Sequence, residues 1–137
     1  MAYVKGKGTI VKHTIASTLT AIAQVMSVSL SGAASQTFDT TSLDTGVFKT
    51  KAETGYSEPG TCELELFFDP ALSGHQFITD LIASPATNAM QITYANSGST
   101  TQSFTACGVE VGVTVAMDDG VKMKVTYQIT GDPGYPT

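Results

Sequence analysis

One stretch near the C-terminus constrains the fold more than any other part of the chain. From Val109 to Thr130, apolar side chains occupy every second position on both sides of a central Asp118-Asp119-Gly120 segment. A period of two residues is typical of strands that bury one face, and an Asp-Asp-Gly segment between two such runs indicates a chain reversal. The sequence therefore predicts an antiparallel β-hairpin, whose apolar face must be buried against other elements.

The apolar pattern also predicts the register of this hairpin. A two-residue turn would place Met117 beside Lys122. A three-residue turn at 118–120 instead pairs every inward apolar residue with another, beginning with Met117 and Val121. Such a turn needs one residue in the left-handed conformation, which Gly120 adopts without steric penalty. We therefore expect a three-residue turn that ends on Gly120.

The rest of the chain predicts further strands and one helix. A capping-box pattern at Ser73 and Gln76 precedes an apolar stripe of helical spacing, formed by Phe77, Ile78, Leu81 and Ile82. The predicted strands are Gly8–Ile15, Leu19–Leu30, Thr37–Thr41, Thr61–Asp69, Ala89–Ala95 and Thr100–Cys107. Strands on both sides of a single helix predict an α+β, mostly β fold, and a length of 137 residues favours one domain.

Residues 44–60 show no sustained period and contain glycines and a proline. Loops longer than about 12–15 residues are uncommon in compact domains and are often functional. Aromatic and charged side chains are mixed in this segment, which favours an interaction role over a plain linker. They are Asp44, Phe48, Lys49, Lys51, Glu53, Tyr56 and Glu58.

Composition narrows the function further. Charged residues are 14% of the chain, against about 25% in a typical globular protein. A sparsely charged surface suits a protein that is covered by copies of itself, although a Thr/Ser-rich β domain would show the same composition. The net charge is −5 and no cation is an arginine, which argues against a nucleic-acid-gripping surface because bidentate phosphate and guanine contacts normally use arginine.

The sequence contains few motifs that are typical of a catalytic, metal-binding or cofactor-binding site. Asp44-Thr45-Gly46 matches the catalytic triplet of aspartic peptidases, but that site needs two carboxylates sharing a proton on rigid strands. Glu63 and Glu65 share one strand face, where a solvated role is typical. Cys62 and Cys107 lack metal-ligand spacing, and no phosphate-binding loop is present. We expect no enzyme activity, no cofactor and no metal; a retroviral-type peptidase using Asp44 is the enzymatic alternative.

A second alternative comes from the N-terminus, where lysines precede a softly apolar stretch up to Ala34. This resembles a signal peptide, although serines and threonines interrupt it. Processing near Ala34 would make the protein a secreted, pilus-like β subunit.

The order of elements resembles the tail tube (major tail) protein family of long-tailed bacteriophages. The Thr-rich piece Thr37–Asp44, a long polar loop, a strand ending Leu66–Pro70, a short helix and a β-rich C-terminal third carry the resemblance over essentially the whole chain. It implies two packed antiparallel sheets with one flanking helix in a single domain, 1–137. It also implies hexameric rings stacked into a tube in the virion tail, made in the bacterial host cytoplasm, with other tail proteins at the tube ends and no membrane.

The resemblance also implies residue roles. The loop Asp44–Gly60 would contact the neighbouring ring, and the arms Met1–Lys7 and Asp132–Thr137 would assist stacking. DNA would pass through without specific binding, which an acidic bore favours because it repels phosphate. The expected lumen residues are Glu63, Glu65 and Glu110; Lys122 and Lys124 oppose this expectation if they share that face. Which sheet lines the bore is left open by the sequence.

Overall fold

A computed structural model describes residues 4–44 and 46–135, and this part of the chain forms nine strands and one helix. The strands pair only in the antiparallel sense. The mostly β, α+β class predicted from the sequence is confirmed. In chain order the elements are β1 (Ile10–Ile15), β2 (Thr18–Ala21), β3 (Val25–Ser31), β4 (Ala34–Asp39), β5 (Lys51–Glu58), β6 (Thr61–Phe67), α1 (Ser73–Ala83), β7 (Asn88–Thr93), β8 (Thr101–Thr114) and β9 (Lys122–Thr130).

The core lies inside one large sheet. Seven strands run in the order β2-β1-β7-β8-β9-β6-β3. Val11 and Ile92, from one end of this sheet, belong to the same buried cluster as Leu64 and Tyr127 near the other end, and α1 adds Ile78. The sheet therefore curls back on itself with the helix against its core. The second antiparallel sheet is small, since it holds only β4 and β5.

The C-terminal hairpin is present, but its predicted register is wrong by two residues. Val111 pairs with Val125 and Val113 with Met123, and residues 115–121 connect the strands. A slip of two keeps the same side chains inward, so the apolar pattern cannot distinguish the two registers. Contacts with β6 select the longer connection: the Phe68 N–H donates to the Val121 carbonyl at 2.8 Å. Consequently Met117 is fully exposed instead of paired.

The expected tight turn is also absent. Gly120 is not among the residues with positive φ. A Cβ at Gly120 would instead stand 3.1 Å from two atoms of the Phe67 ring, which is a tight contact. Strand β8 is longer than expected, because the segments predicted to flank Gly108 form one strand of 14 residues with a bulge between Ala106 and Gly108.

Residues 44–60 are not the unstructured loop that the sequence predicts. Strand β5 pairs with β4, and together they extend the β3–β6 pair in the same register, from Ser31 opposite Thr61 to Ala34 opposite Glu58. The predicted strand Leu19–Leu30 is likewise wrong, because the chain turns at Gln24, which has φ 64°. We call β4, β5 and residues 40–50 between them the ribbon.

Two glycines join the ribbon to the large sheet. Gly32 and Gly60 have φ of 83° and 93°, which side chains rarely tolerate. A Cβ on Gly60 would stand 2.3 Å from the Ser31 carbonyl oxygen. The close approach of the two strands at the junction therefore requires glycine at position 60, whereas Gly32 is distinguished by its positive φ alone.

The helix begins at Ser73, one residue earlier than predicted. Its N-cap is Leu72, with no side-chain capping bond, so the predicted Ser73 cap is wrong. The Gln76 amide instead donates to the Pro70 carbonyl at 2.7 Å. The buried stripe is His75, Ile78 and Leu81, whereas the predicted Ile82 is 52% exposed.

Candidate assembly surfaces

The outward face of β3, β6, β9 and the second half of β8 is one surface, which we call the polar panel; its side chains are mostly polar, and the half-exposed Phe67 beside Lys122 is an apolar exception. Its alternate residues point away from the core because Cys62, Leu64 and Leu66 of β6 point into it. The panel's polar side chains are Ser27, Ser29, Ser31, Thr61, Glu63, Glu65, Glu110, Thr114, Lys122, Lys124, Thr126 and Gln128.

The three carboxylates expected on one face come together on this panel. Thr126 is the cross-strand partner of both Glu63 and Glu110, so these two residues flank it in one row. Glu65 lies in the next row, opposite Lys124. Residues that face one another across antiparallel strands share a side of the sheet, so this placement follows from register alone.

The two lysines on the panel both have acidic partners. Lys122 forms an ion pair with Asp119 at 2.8 Å, and Lys124 lies 3.9 Å from a Glu63 oxygen. The hydrogen bond from Lys122 lowers the pKa of Asp119 below its ordinary value. The lysines therefore do not make the panel a positive surface, and Glu65 and Glu110 add further negative charge.

The panel has a free edge on each side among the described strands. β3 pairs with β6 alone, at one end of the sheet. At the other side, the β7–β8 ladder stops at Asn88 and Ala106, whereas β9 continues along β8 to Thr114. The half-strand 108–114 thus has backbone groups without a strand neighbour. Such edges are templates for pairing with another chain.

The ribbon holds the residues predicted for the long loop. Every residue of β4 is exposed, and the predicted residues lie along the ribbon without converging on one site. Lys51, Glu53, Tyr56 and Glu58 belong to β5, whereas Asp44, Phe48 and Lys49 lie in 40–50.

At the end of the ribbon, Leu43, Val47 and Phe48 are 107%, 95% and 86% exposed. Sequence reasoning missed Leu43 and Val47, whose signal was the presence of large apolar residues in a polar segment. We call Leu43, Asp44 and residues 46–48 the tip.

Asp44 does not have the surroundings of a peptidase carboxylate. It is exposed, and the hydroxyl of Ser42 donates to it, which lowers its pKa. A catalytic dyad requires buried carboxylates, one of which has a raised pKa. The structure therefore gives Asp44 the properties of a solvated surface group.

Two buried histidines lie at the helix. His75 accepts from the Asp69 N–H at 3.0 Å and contacts the Ala23 carbonyl at 2.8 Å. His13 of β1 is 1% exposed, neither ring nitrogen has a partner, and its ring meets the Phe77 ring edge-on at 5.2 Å. Burial, followed by the effect of His75, lowers the pKa of His13 to about 4. His13 is thus held neutral as part of the core.

An apolar groove of about 660 Å³ lies between β3, β7 and the segments at both ends of the described chain. Its walls include Val25, Val28 and Leu30 of β3 and Ile92 of β7, with Lys5 also lining it. The groove marks the place where the curled sheet is not closed by a strand of its own.

The C-terminal arm docks on its own chain over the residues that are described. The Gln102 amide donates to the Pro133 carbonyl at 2.9 Å, and Gly134 packs against Ser103. Residues 1–3 and 136–137, which belong to the predicted arms, lie outside the described residues.

Other chemistry is sparse in the described part of the chain. Cys62 is buried and Cys107 exposed, both as free thiols, and burial raises the pKa of Cys62 to about 12. No group of three or more His, Cys, Asp or Glu side chains there is placed to hold a metal ion. No helix among these residues has the length and hydropathy needed to cross a bilayer.

A curled β domain with a polar face, free sheet edges and an exposed ribbon has the features of a structural subunit rather than of an enzyme. Residues 3–135 match the family model described as lambda phage tail tube protein, and the chain belongs to that family. It is therefore a structural component of the virion tail and not an enzyme. No curated relative matches the sequence.

Solved tail assemblies share the fold at low sequence identity. A chain from the tail of an empty GTA particle, computed with C6 symmetry, is 13% identical with a TM-score of 0.70, covering 97% of this chain and 98% of that one. A chain from the sheath/tube terminator of an extracellular contractile injection system is 14% identical, with a TM-score of 0.70 and coverage of 96% and 95%. One from the six-fold symmetrised baseplate of the anti-feeding prophage is 11% identical, with a TM-score of 0.67 and coverage of 96% and 94%.

Proposed function

We propose that this tail tube subunit forms hexameric rings that stack into a hollow tube, with the polar panel facing the bore and DNA passing through it during ejection. The observation that carries the proposal is the panel itself, which carries polar side chains on four strands and has a free edge on each side. The C6 symmetry in the description of a structural neighbour supports the ring number.

Ring closure would use the two panel edges. In each copy, β3 offers one free edge and residues 108–114 of β8 offer the other. Because these two surfaces differ, their pairing is head-to-tail, and such a contact generates a ring when the rotation closes. The pairing would also remove the exposed edges that make a free monomer prone to non-specific association.

The panel suits the wall of a DNA conduit. Its hydroxyl and amide side chains are wetted by water, and its carboxylates repel phosphate. The absence of arginine removes the side chain that grips phosphate most firmly. We assign Glu63, Glu65 and Glu110 to the lumen on these grounds.

Contacts along the tube would use the ribbon, including Phe48, Lys49, Lys51, Glu53, Tyr56 and Glu58, together with the two arms. At the tube ends, other tail proteins would replace the next ring. Structural likeness to chains of a baseplate and of a sheath/tube terminator supports this arrangement. No membrane is involved in the proposal.

Electron microscopy of the purified protein tests the assembly. Negative-stain images at increasing protein concentration should contain rings whose class averages have six-fold symmetry, followed by stacked tubes. A protein that stays monomeric at every concentration, or forms rings of another symmetry, contradicts the proposal.

Thiol labelling of assembled tubes tests which face lines the bore. Glu65→Cys, with Cys107→Ser removing the exposed native thiol, should react with a small maleimide but be protected from a bulky polyethylene-glycol maleimide. Asp80→Cys, an exposed acidic position on α1 across the core, is the matched control and should react with both reagents. Equal reaction of both variants with the bulky reagent would exclude the panel as the lumen.

A further inference from the structure

The tip places three large apolar side chains in water. Leu43, Val47 and Phe48 keep nearly all of their surface exposed in the single chain. Burying a side chain of this kind contributes about 1.5–3 kcal/mol. Clustered exposed apolar residues usually mark a surface that meets another molecule.

The groove, in turn, is lined by apolar side chains that the chain itself covers only in part. Val25, Val28 and Leu30 point inward from β3 but are only partly covered, although they contact the core. Its volume of about 660 Å³ falls within the range of roughly 300–1,000 Å³ that encloses a medium-sized apolar ligand. The combined volume of the Leu43, Val47 and Phe48 side chains is compatible with a groove of this size.

A chain's own tip is held away from its own groove. The groove residue Leu30 lies just before the glycine junction, and the tip lies beyond the whole of β4. Six strand residues at about 3.3 Å each separate the two by roughly 20 Å. The ladder between β4 and β5 keeps this span extended, and no residue of β4 is covered.

We propose that the tip of one copy inserts Leu43, Val47 and Phe48 into the groove of a second copy in the adjacent ring. This inference rests on the proposed function, because it assigns the ribbon its receptor. Charge agrees with the docking, since Asp44 stands beside the apolar anchors and Lys5 lines the groove. Donor and acceptor surfaces differ, so the contact can repeat without closing and thereby propagate along the tube.

Disulfide trapping tests the pairing. Phe48→Cys and Met26→Cys are combined in one chain with Cys107→Ser; Met26 lines the groove and is 40% exposed. Mild oxidation of assembled tubes should give a ladder of linked chains that continues beyond the hexamer, because each copy donates a tip to another ring. The control replaces Met26→Cys with Leu19→Cys, a residue of β2 that is 44% exposed and lies outside the groove, and should give no ladder.

A second measurement does not depend on new thiols. Phe48→Ser should raise the protein concentration needed for tube formation at least about tenfold, the factor that corresponds to losing one buried aromatic side chain. Tyr56→Ser removes another exposed aromatic from the ribbon, outside the tip, and should change it less than about twofold. Circular dichroism confirms that both variants keep the native fold.

The outcomes separate this inference from the proposed function. Suppose that the native sequence forms tubes, but the Phe48→Cys/Met26→Cys variant gives no ladder or the Leu19→Cys control gives an equal one. The proposed docking is then wrong, whereas the proposed tube is not affected. A ladder that ends at a closed hexamer moves the contact within a ring, and a disulfide formed within single chains assigns the tip to its own groove; each contradicts the proposal. If the native sequence forms neither rings nor tubes, the proposed function fails, and the docking between rings fails with it.

Discussion

Neutral His13 should make the folded subunit sensitive to mild acid. The ring is buried without a hydrogen-bond partner, and its pKa falls from 6.5 to about 4. Its cross-strand neighbours are Thr20 of β2 and Met90 of β7, and from α1 Phe77 contacts the ring, Gly74 lies close to it and His75 acts on it electrostatically. Of these neighbours only His75 is titratable, and its influence also lowers the pKa of His13; among the described residues no carboxylate acts on His13 to raise it.

The sign follows from comparing the two states. In the unfolded chain His13 takes up a proton below about pH 6.5, whereas in the folded chain it does so only near pH 4. Stability therefore falls as the pH drops from about 6.5 to 4 and levels off below. A shift of this size, at about 1.4 kcal/mol per pKa unit, corresponds to roughly 3 kcal/mol.

Urea unfolding of the unassembled protein, followed by far-UV circular dichroism between pH 7.5 and 4, measures this loss. His13→Leu removes the titrating group while keeping an apolar side chain, and His75 and all carboxylates remain as common background. The difference in unfolding free energy between the native chain and His13→Leu should therefore change by about 2–3 kcal/mol across this pH range. Parallel curves for the two proteins would refute the assignment of a neutral, buried His13.

Three further predictions concern the junction, the core and the thiols. Gly60→Ala should lower the unfolding free energy by about 2 kcal/mol or more, because it adds a backbone clash to the strain of a positive φ. The control is Gly55→Ala, where φ is 89° but a Cβ would meet open space, and its loss of unfolding free energy should be smaller. Equal losses for the two variants in thermal melts would exclude the clash. Tyr127→Phe should keep or raise stability by up to about 1 kcal/mol, since the buried hydroxyl has no partner; a clear loss in urea titration would reveal a hidden hydrogen bond. Ellman's reagent should modify Cys107 within minutes in the native protein and Cys62 only after denaturation, and rapid modification of both would contradict the burial of Cys62.

The sequence predicted the elements whose side chains carry a strong period. Strand β6 is buried at Cys62, Leu64 and Leu66 as its alternation indicates. The C-terminal hairpin was predictable as a hairpin, but not in its register, because a shift of two residues leaves every inward pair apolar. The contacts that choose the register come from β6, which is distant in sequence.

The ribbon escaped prediction because little of it is buried. Strand β5 has no apolar alternation, and its order comes from the backbone ladder and from polar pairs such as Gln36 with Glu58, at 2.8 Å. The free edges of the polar panel and the groove depend on strand order, which local patterns do not encode. The candidate carboxylates were predictable one by one, whereas their arrangement in neighbouring rows was not.

Strand β8 has a mechanical consequence. Its first half pairs with β7 and its second half pairs with β9, yet both halves belong to one continuous strand. Tension applied at the half-strand 108–114 therefore passes through covalent bonds into the part of the sheet that α1 packs against. A pull on the panel is shared with the whole subunit, with no intervening loop to yield first.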